Sequence, residues 1–141
     1  MIVIPLAGSS TRFKAAGIHA PKWCLEVDGM TVLNKSINSI VNSLNEFETL
    51  LIVIDSSHEH ILSPLIEDYK DLNFIVYKLN SPTLGQADTV RQGLVNYQYN
   101  PAERLVIWCG DSAFKGDSLI FKEEEGNWVG VSKLKGDHWS F

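Results

Sequence analysis

Short apolar runs recur along this chain, with helix-spaced segments between them. Residues 1–6 read MIVIPL, residues 49–54 TLLIVI and residues 104–109 RLVIWC. Runs of this length without polar alternation suit strands buried on both faces of a parallel sheet. Residues 73–77 are a further strand candidate, and residues 128–134 form a last strand-like run. Behind Thr31, a capping residue, Val32, Leu33, Ile37, Ile40, Val41 and Leu44 share one 3.6-residue stripe. The spacing predicts a helix reaching Leu44. A second helix is expected over residues 58–69, unless Pro64 limits it to the segment that follows. A third, over residues 86–97, turns Ala87, Val90, Leu94 and Tyr97 inward. Strand and helix thus alternate, which predicts an α/β fold of three layers with a mostly parallel central sheet. With 141 residues, 45% of them hydrophobic, the chain fits one globular domain over residues 1–141.

Ligands of such sheets bind beyond the carboxyl ends of the strands. That places attention on the loop after the first strand, the loop after the third, and Asp111 after the fourth. The net charge of −5 argues against a general nucleic-acid partner. A small anion feels local charge instead, and residues 1–22 hold Arg12, Lys14 and Lys22 with no acidic residue. No apolar run approaches the ~20 residues of a membrane span, and no leader-like segment opens the chain. Cys24 and Cys109 show no metal or redox spacing and read as reduced core residues, which fits a cytoplasmic setting. His58-Glu59-His60 lacks a third ligand at useful spacing and reads as a solvated helix start. Glu123-Glu124-Glu125 reads as a solvated turn, and Trp108 and Trp128 as core.

The segment from Leu6 to Lys22 carries the chemistry. Leu6, Ala7, Gly8, Ser9, Ser10 and Thr11 are small or backbone-exposing, so their N–H groups could approach phosphate oxygens. Arg12 offers a planar fork for phosphate, and Lys22 a mobile point charge. The same composition also suits a surface loop with two solvated cations. Neither GxxxxGK[ST] nor GxGxxG occurs. Gly85-Gln86 opens the third helix, where glycine permits a tight turn and the helix N-terminus favours anions. A plain helix start would look alike. Asp111 follows Cys109-Gly110 at a strand's carboxyl end, where a carboxylate suits a hard divalent cation. Aspartate is also common in ordinary turns there.

In combination these motifs resemble the nucleotidyltransferase superfamily of GT-A-like, Rossmann-like fold. Its sugar-1-phosphate nucleotidylyltransferases and cytidylyltransferases share a pattern near L-A-G-x-G-x-R-F, a gap, then P-K-x-L. Leu6, Ala7, Gly8, Arg12, Phe13, Pro21, Lys22, Leu25, Gly29 and Leu33 match it, and Ser10 departs where many members have glycine. Gly85-Gln86-Ala87-Asp88-Thr89-Val90 resembles the family's base-contacting stretch, and Asn80 stands where many members carry a base-reading glutamine. Residues 136–141 resemble a segment of capsule and surface-polysaccharide members.

The resemblance implies NMP transfer from an NTP to a phosphorylated acceptor, such as a sugar-1-phosphate, with release of pyrophosphate. It implies nucleotide contacts at Leu6, Ala7, Gly8, Ser9, Ser10, Thr11, Arg12, Lys22, Asn80, Gly85, Gln86 and Asp111. Arg12 and Lys22 would be catalytic, and Asp111 would hold Mg²⁺. It also implies a truncated domain, an NTP-binding front part without the acceptor-binding part. Two alternatives stand beside it. One is a non-catalytic nucleotide-binding module. The other is a nucleotide-sugar-dependent glycosyltransferase of related fold, although Gly110-Asp111-Ser112-Ala113 supplies no Asp-x-Asp pair.

Overall fold

The computed structural model describes residues 1–41 and 49–113. The chain runs through β1 (Ile2–Pro5), α1 (Thr11–Ala15), β2 (Glu26–Val27), β3 (Met30–Thr31) and α2 (Val32–Val41). It continues through β4 (Leu50–Asp55), α3 (Glu59–Ile66), β5 (Phe74–Leu79), α4 (Gln86–Tyr97) and β6 (Val106–Ile107). Four strands form one parallel sheet in the order β5-β4-β1-β6, with Ile2 opposite both Leu50 and Val106. The strand-like run at residues 128–134 lies outside the described residues, as do the segment at residues 136–141 and the last predicted turn of the first long helix.

Strand pleating divides the core. On one face Ile2, Ile4, Leu6, Leu50, Ile52 and Ile54 pack against Leu33, Ile37 and Ile40 of α2 and Leu62 of α3. On the other, Val3, Leu51 and Val53 pack against Val90 of α4. Helices therefore cover both faces, giving the three-layer α/β architecture expected from the alternation. Each buried Leu or Ile contributes about 1.5–3 kcal/mol. A surface ion pair contributes about 1 kcal/mol or less. The apolar runs, not the charges, fix this sheet.

Local signals explain most element boundaries. Thr31 Oγ1 accepts the amide of Asn34 at 3.2 Å and caps α2. Asp28 and Gly29 both have positive φ (50° and 76°), the turn that joins β2 to its antiparallel partner β3. Pro64 does not confine α3 to the segment after it. The proline sits within the helix, at an exposed position where the carbonyl deprived of its donor, that of His60, also belongs to an exposed residue. Tight 3₁₀ turns at Ser56–His58 and Glu67–Tyr69 flank it, so the expected single helix is three shorter pieces. The fourth strand is shorter than its apolar run, because only Val106 and Ile107 pair with β1.

Gly93 lets α4 lie close on β4. A Cβ there would stand 2.5 Å from Val53 Cγ2. The clash costs about 1–3 kcal/mol, against a helix-propensity gain of about 1 kcal/mol. Gly93→Ala is therefore expected to lower the thermal midpoint, and a melt followed by circular dichroism checks it.

Candidate functional site

The strand order reverses direction at β1, which has β4 on one side and β6 on the other. A crevice opens at such a switch point, past the carboxyl ends of the strands. Here it is a cleft of about 450 Å³. Of the residues singled out in the sequence, Leu6, Ala7, Gly8, Ser9, Lys22, Gly85, Gln86 and Asp111 line it together. Ser10, Thr11, Arg12 and Asn80 do not line it. Thr11 and Arg12 lie on α1, within a stretch exposed from Thr11 to Ala20, and Asn80 is exposed one residue past β5.

The first wall is the loop after β1. Leu6 donates its amide to the Val53 carbonyl at 2.7 Å, continuing the strand pairing. Its carbonyl accepts Trp23 Nε1–H at 3.2 Å. Trp23 is buried and meets the His58 ring edge-on, with centroids 6.1 Å apart. The neighbouring Lys22 is thereby fixed to the end of β1. Ser10 has left-handed backbone angles (φ 50°, ψ 34°), and its Oγ accepts the Lys22 amide at 3.4 Å. A left-handed residue with a Cβ costs about 1–2 kcal/mol, which gives a physical reason for glycine at this position of the pattern.

The second wall is the turn into α4. Gly85 has φ 142°, a conformation open to glycine. Asp88 reaches back from the first helical turn to accept the Leu84 amide at 3.1 Å. The Thr83 and Thr89 hydroxyls pair at 2.8 Å, and Thr89 Oγ1 also donates to the Gly85 carbonyl. These bonds leave Leu84 at the cleft edge, 99% exposed.

The third wall is the end of β6. Lys22 Nζ bonds Asp111 Oδ2 at 2.5 Å across the cleft, with the two side chains 43% and 40% exposed. Gln86 Nε2 donates to Cys109 Sγ at 3.1 Å and joins the second wall to the third. Cys109 is thus a half-buried cleft residue, not only a core one. The reading of Cys109 as core missed this, although its place beside Gly110-Asp111 was the available signal. Cys24 is half-buried and donates to the Pro21 carbonyl at 3.0 Å, and burial pushes its thiol pKa up. Thr83 and Leu84 had no signal of their own beyond adjoining Gly85-Gln86, whereas Thr89 lies within the Gly85-to-Val90 stretch.

Solved structures share this arrangement of elements. The nucleoside-diphosphate-sugar pyrophosphorylase from Vibrio cholerae aligns at TM-score 0.64 and 26% identity, over 82% of this chain and 51% of its own. The fold is that of the nucleotidyltransferases. The inositol-1-phosphate CTP transferase from T. maritima aligns at 0.63 and 20% identity, over 80% and 44% of the two chains. The 4-diphosphocytidyl-2C-methyl-D-erythritol synthase from Anaerococcus prevotii aligns at 0.55 and 21%, over 77% and 41%. This chain spans about half the length, or less, of these nucleotidyltransferase structures. No family model matches the sequence, and no curated protein matches it. No helix among the described residues is long and apolar enough to cross a membrane.

The Leu84 amide, with Arg91 and Gln92 behind it, holds the Asp88 carboxyl below the usual carboxylate range. A depressed folded-state pKa means that the unfolded chain binds the proton more tightly. The contribution is present above the ordinary carboxylate pKa of ~3.9 and is lost as pH falls through the lowered value. The protection factor of the Leu84 amide, its exchange relative to the intrinsic rate at each pH, is expected to fall over that acidic window, and Asp88→Asn should remove this change in protection. Hydrogen-exchange NMR between about pH 2 and about pH 6 reads both effects.

Proposed function

We propose that this chain binds a nucleoside triphosphate in the cleft and forms the NTP-binding part of a nucleotidyltransferase. The observation that carries the reading is the meeting of Lys22 and Asp111 across a cleft walled by the Leu6–Ser9 loop and Gly85-Gln86. A cation and a carboxylate are both present where a triphosphate needs charge neutralisation, and backbone amides adjoin them. Their ion pair is half-exposed and weak, so an incoming ligand can replace it at small cost.

In the reaction a phosphate oxygen of the acceptor attacks the α-phosphorus in line. The bond from that phosphorus to the β-phosphate oxygen breaks, and pyrophosphate leaves. The protein's part is positioning and charge. Amides of Gly8 and Ser9 cradle phosphates in the cleft, and those of Ser10 and Thr11, which do not line it, are assigned to them by the family pattern alone. Lys22 neutralises charge at the α-phosphate. Arg12, on the exposed α1 beside this loop, serves the leaving pyrophosphate. Gly85 and Gln86 face the base, with Leu6 and Ala7 opposite. Asn80 is assigned to the base by the family pattern alone.

Among the described residues no group of three metal-ligating side chains occurs. A single exposed carboxylate, Asp111, fits Mg²⁺, which commonly takes one or two carboxylates and fills its remaining positions with phosphate oxygens and water. When bound, the ion supplies orientation of the triphosphate and relief of its charge. The acceptor is proposed to be a sugar-1-phosphate or similar compound, within cytoplasmic nucleotide-sugar or surface-polysaccharide synthesis. The names of the Vibrio cholerae and T. maritima proteins support a phosphorylated acceptor.

Calorimetric titration with ATP, CTP, GTP and UTP, with and without Mg²⁺, tests binding. Lys22→Ala is expected to weaken the preferred nucleotide at least about tenfold, near 1.4 kcal/mol. Asp111→Asn should abolish most of the gain from Mg²⁺. Pyrophosphate release with a panel of sugar-1-phosphates separates an enzyme from a binding module. Unchanged nucleotide affinity in both variants would sink the assignment.

A further inference from the structure

Ser36 is the polar member of the buried stripe of α2, between Leu33 and Ile37. Its hydroxyl accepts Trp108 Nε1–H at 2.8 Å and donates to the Cys109 carbonyl at 3.3 Å. A buried polar group of this kind gains little net stability over an apolar one. What it adds is direction. The same Cys109 carbonyl accepts the Ser112 amide at 2.9 Å, closing a turn whose third residue is Asp111.

The turn is also clamped from the side of β1. A Cβ on Gly110 would lie 2.3 Å from Leu6 Cδ2 and 3.1 Å from Ile4 Cγ2. The backbone just before Asp111 is therefore pressed against β1 on one side and tied to α2 by Ser36. Ser36 itself does not line the cleft. Supporting bonds of this type hold a liganding carboxylate in its working orientation.

We propose that Ser36 is a positioning residue that aims the Asp111 carboxylate at the magnesium–nucleotide complex, acting through Trp108 and the Cys109 carbonyl. The inference rests on the nucleotide reading of the cleft. Removing the hydroxyl leaves the Cys109 carbonyl with the Ser112 amide alone and unties the turn from α2 without touching the phosphate loop. The metal-dependent part of nucleotide affinity should fall, and the metal-free part should not.

The test titrates the wild type and Ser36→Ala with ATP, CTP, GTP and UTP, each in EDTA and in Mg²⁺. Ser36→Ala is expected to keep metal-free affinity while the Mg²⁺-dependent gain drops about tenfold. Trp108→Phe removes the indole donor together with part of a buried ring, and keeps the Ser36 bond to Cys109. It should show a smaller drop in the same quantity, and it serves where Ser36→Ala fails to fold. An equal Mg²⁺ gain in the wild type and the variants overturns the inference and leaves the nucleotide reading intact. An equal loss with and without Mg²⁺ also overturns it, since that marks a merely structural residue. A wild type that binds none of the four nucleotides overturns the nucleotide reading, and this inference with it.

Discussion

The cleft depends on β1 being paired along both edges and buried on both faces. Pairing with β4 and β6 brings two strand ends together at the place where chain order reverses. Ile2, Val3 and Ile4, all fully buried, hold that strand between α2 and α4. The chemical groups sit in the loops just beyond this apolar clamp. Leu6 leads into the phosphate-loop candidate, Trp23 ties Lys22 back to Leu6, and Gly110 presses the Asp111 turn against the same leucine. The polar side chains of the cleft are thus placed by packing that is almost wholly apolar.

How far the sequence predicts this varies with the kind of interaction. The observed bounds of α4, Gln86–Tyr97, match the expectation because Gly85 marks a backbone break that few residues tolerate. β1 and β4 are legible because burial on both faces leaves an unbroken apolar run. Pro64 misleads because its penalty depends on whether the orphaned carbonyl faces solvent, which spacing does not reveal. The short pairing of β6 is equally hidden, since an apolar run records burial and not hydrogen-bond register. Within the site, residues adjacent in sequence to a motif are found by the motif. Ser36 is 75 residues from Asp111 in sequence, and only the folded packing of α2 on β6 joins them.

Electrostatics here is arranged for exchange rather than for stability. The Lys22–Asp111 pair is half in solvent and adds little to folding. Asp88, by contrast, is committed to structure, since its oxygens hold Leu84, Arg91 and Gln92. The cleft therefore has one acidic group bound up in shaping a wall and another whose partner is readily replaced.

Ser10 places a limit on how this loop can drift over generations. Its backbone lies in the left-handed region, open at low cost to glycine, asparagine and aspartate and closed to β-branched residues. Aspartate there would set a negative charge beside the proposed phosphate cradle, within the otherwise cationic first 22 residues. The conformation and the charge together leave a narrow alphabet of glycine, serine and asparagine. Variation along this loop should concentrate on the exposed turns of α1, and position 10 should remain small and neutral even where its neighbours diverge.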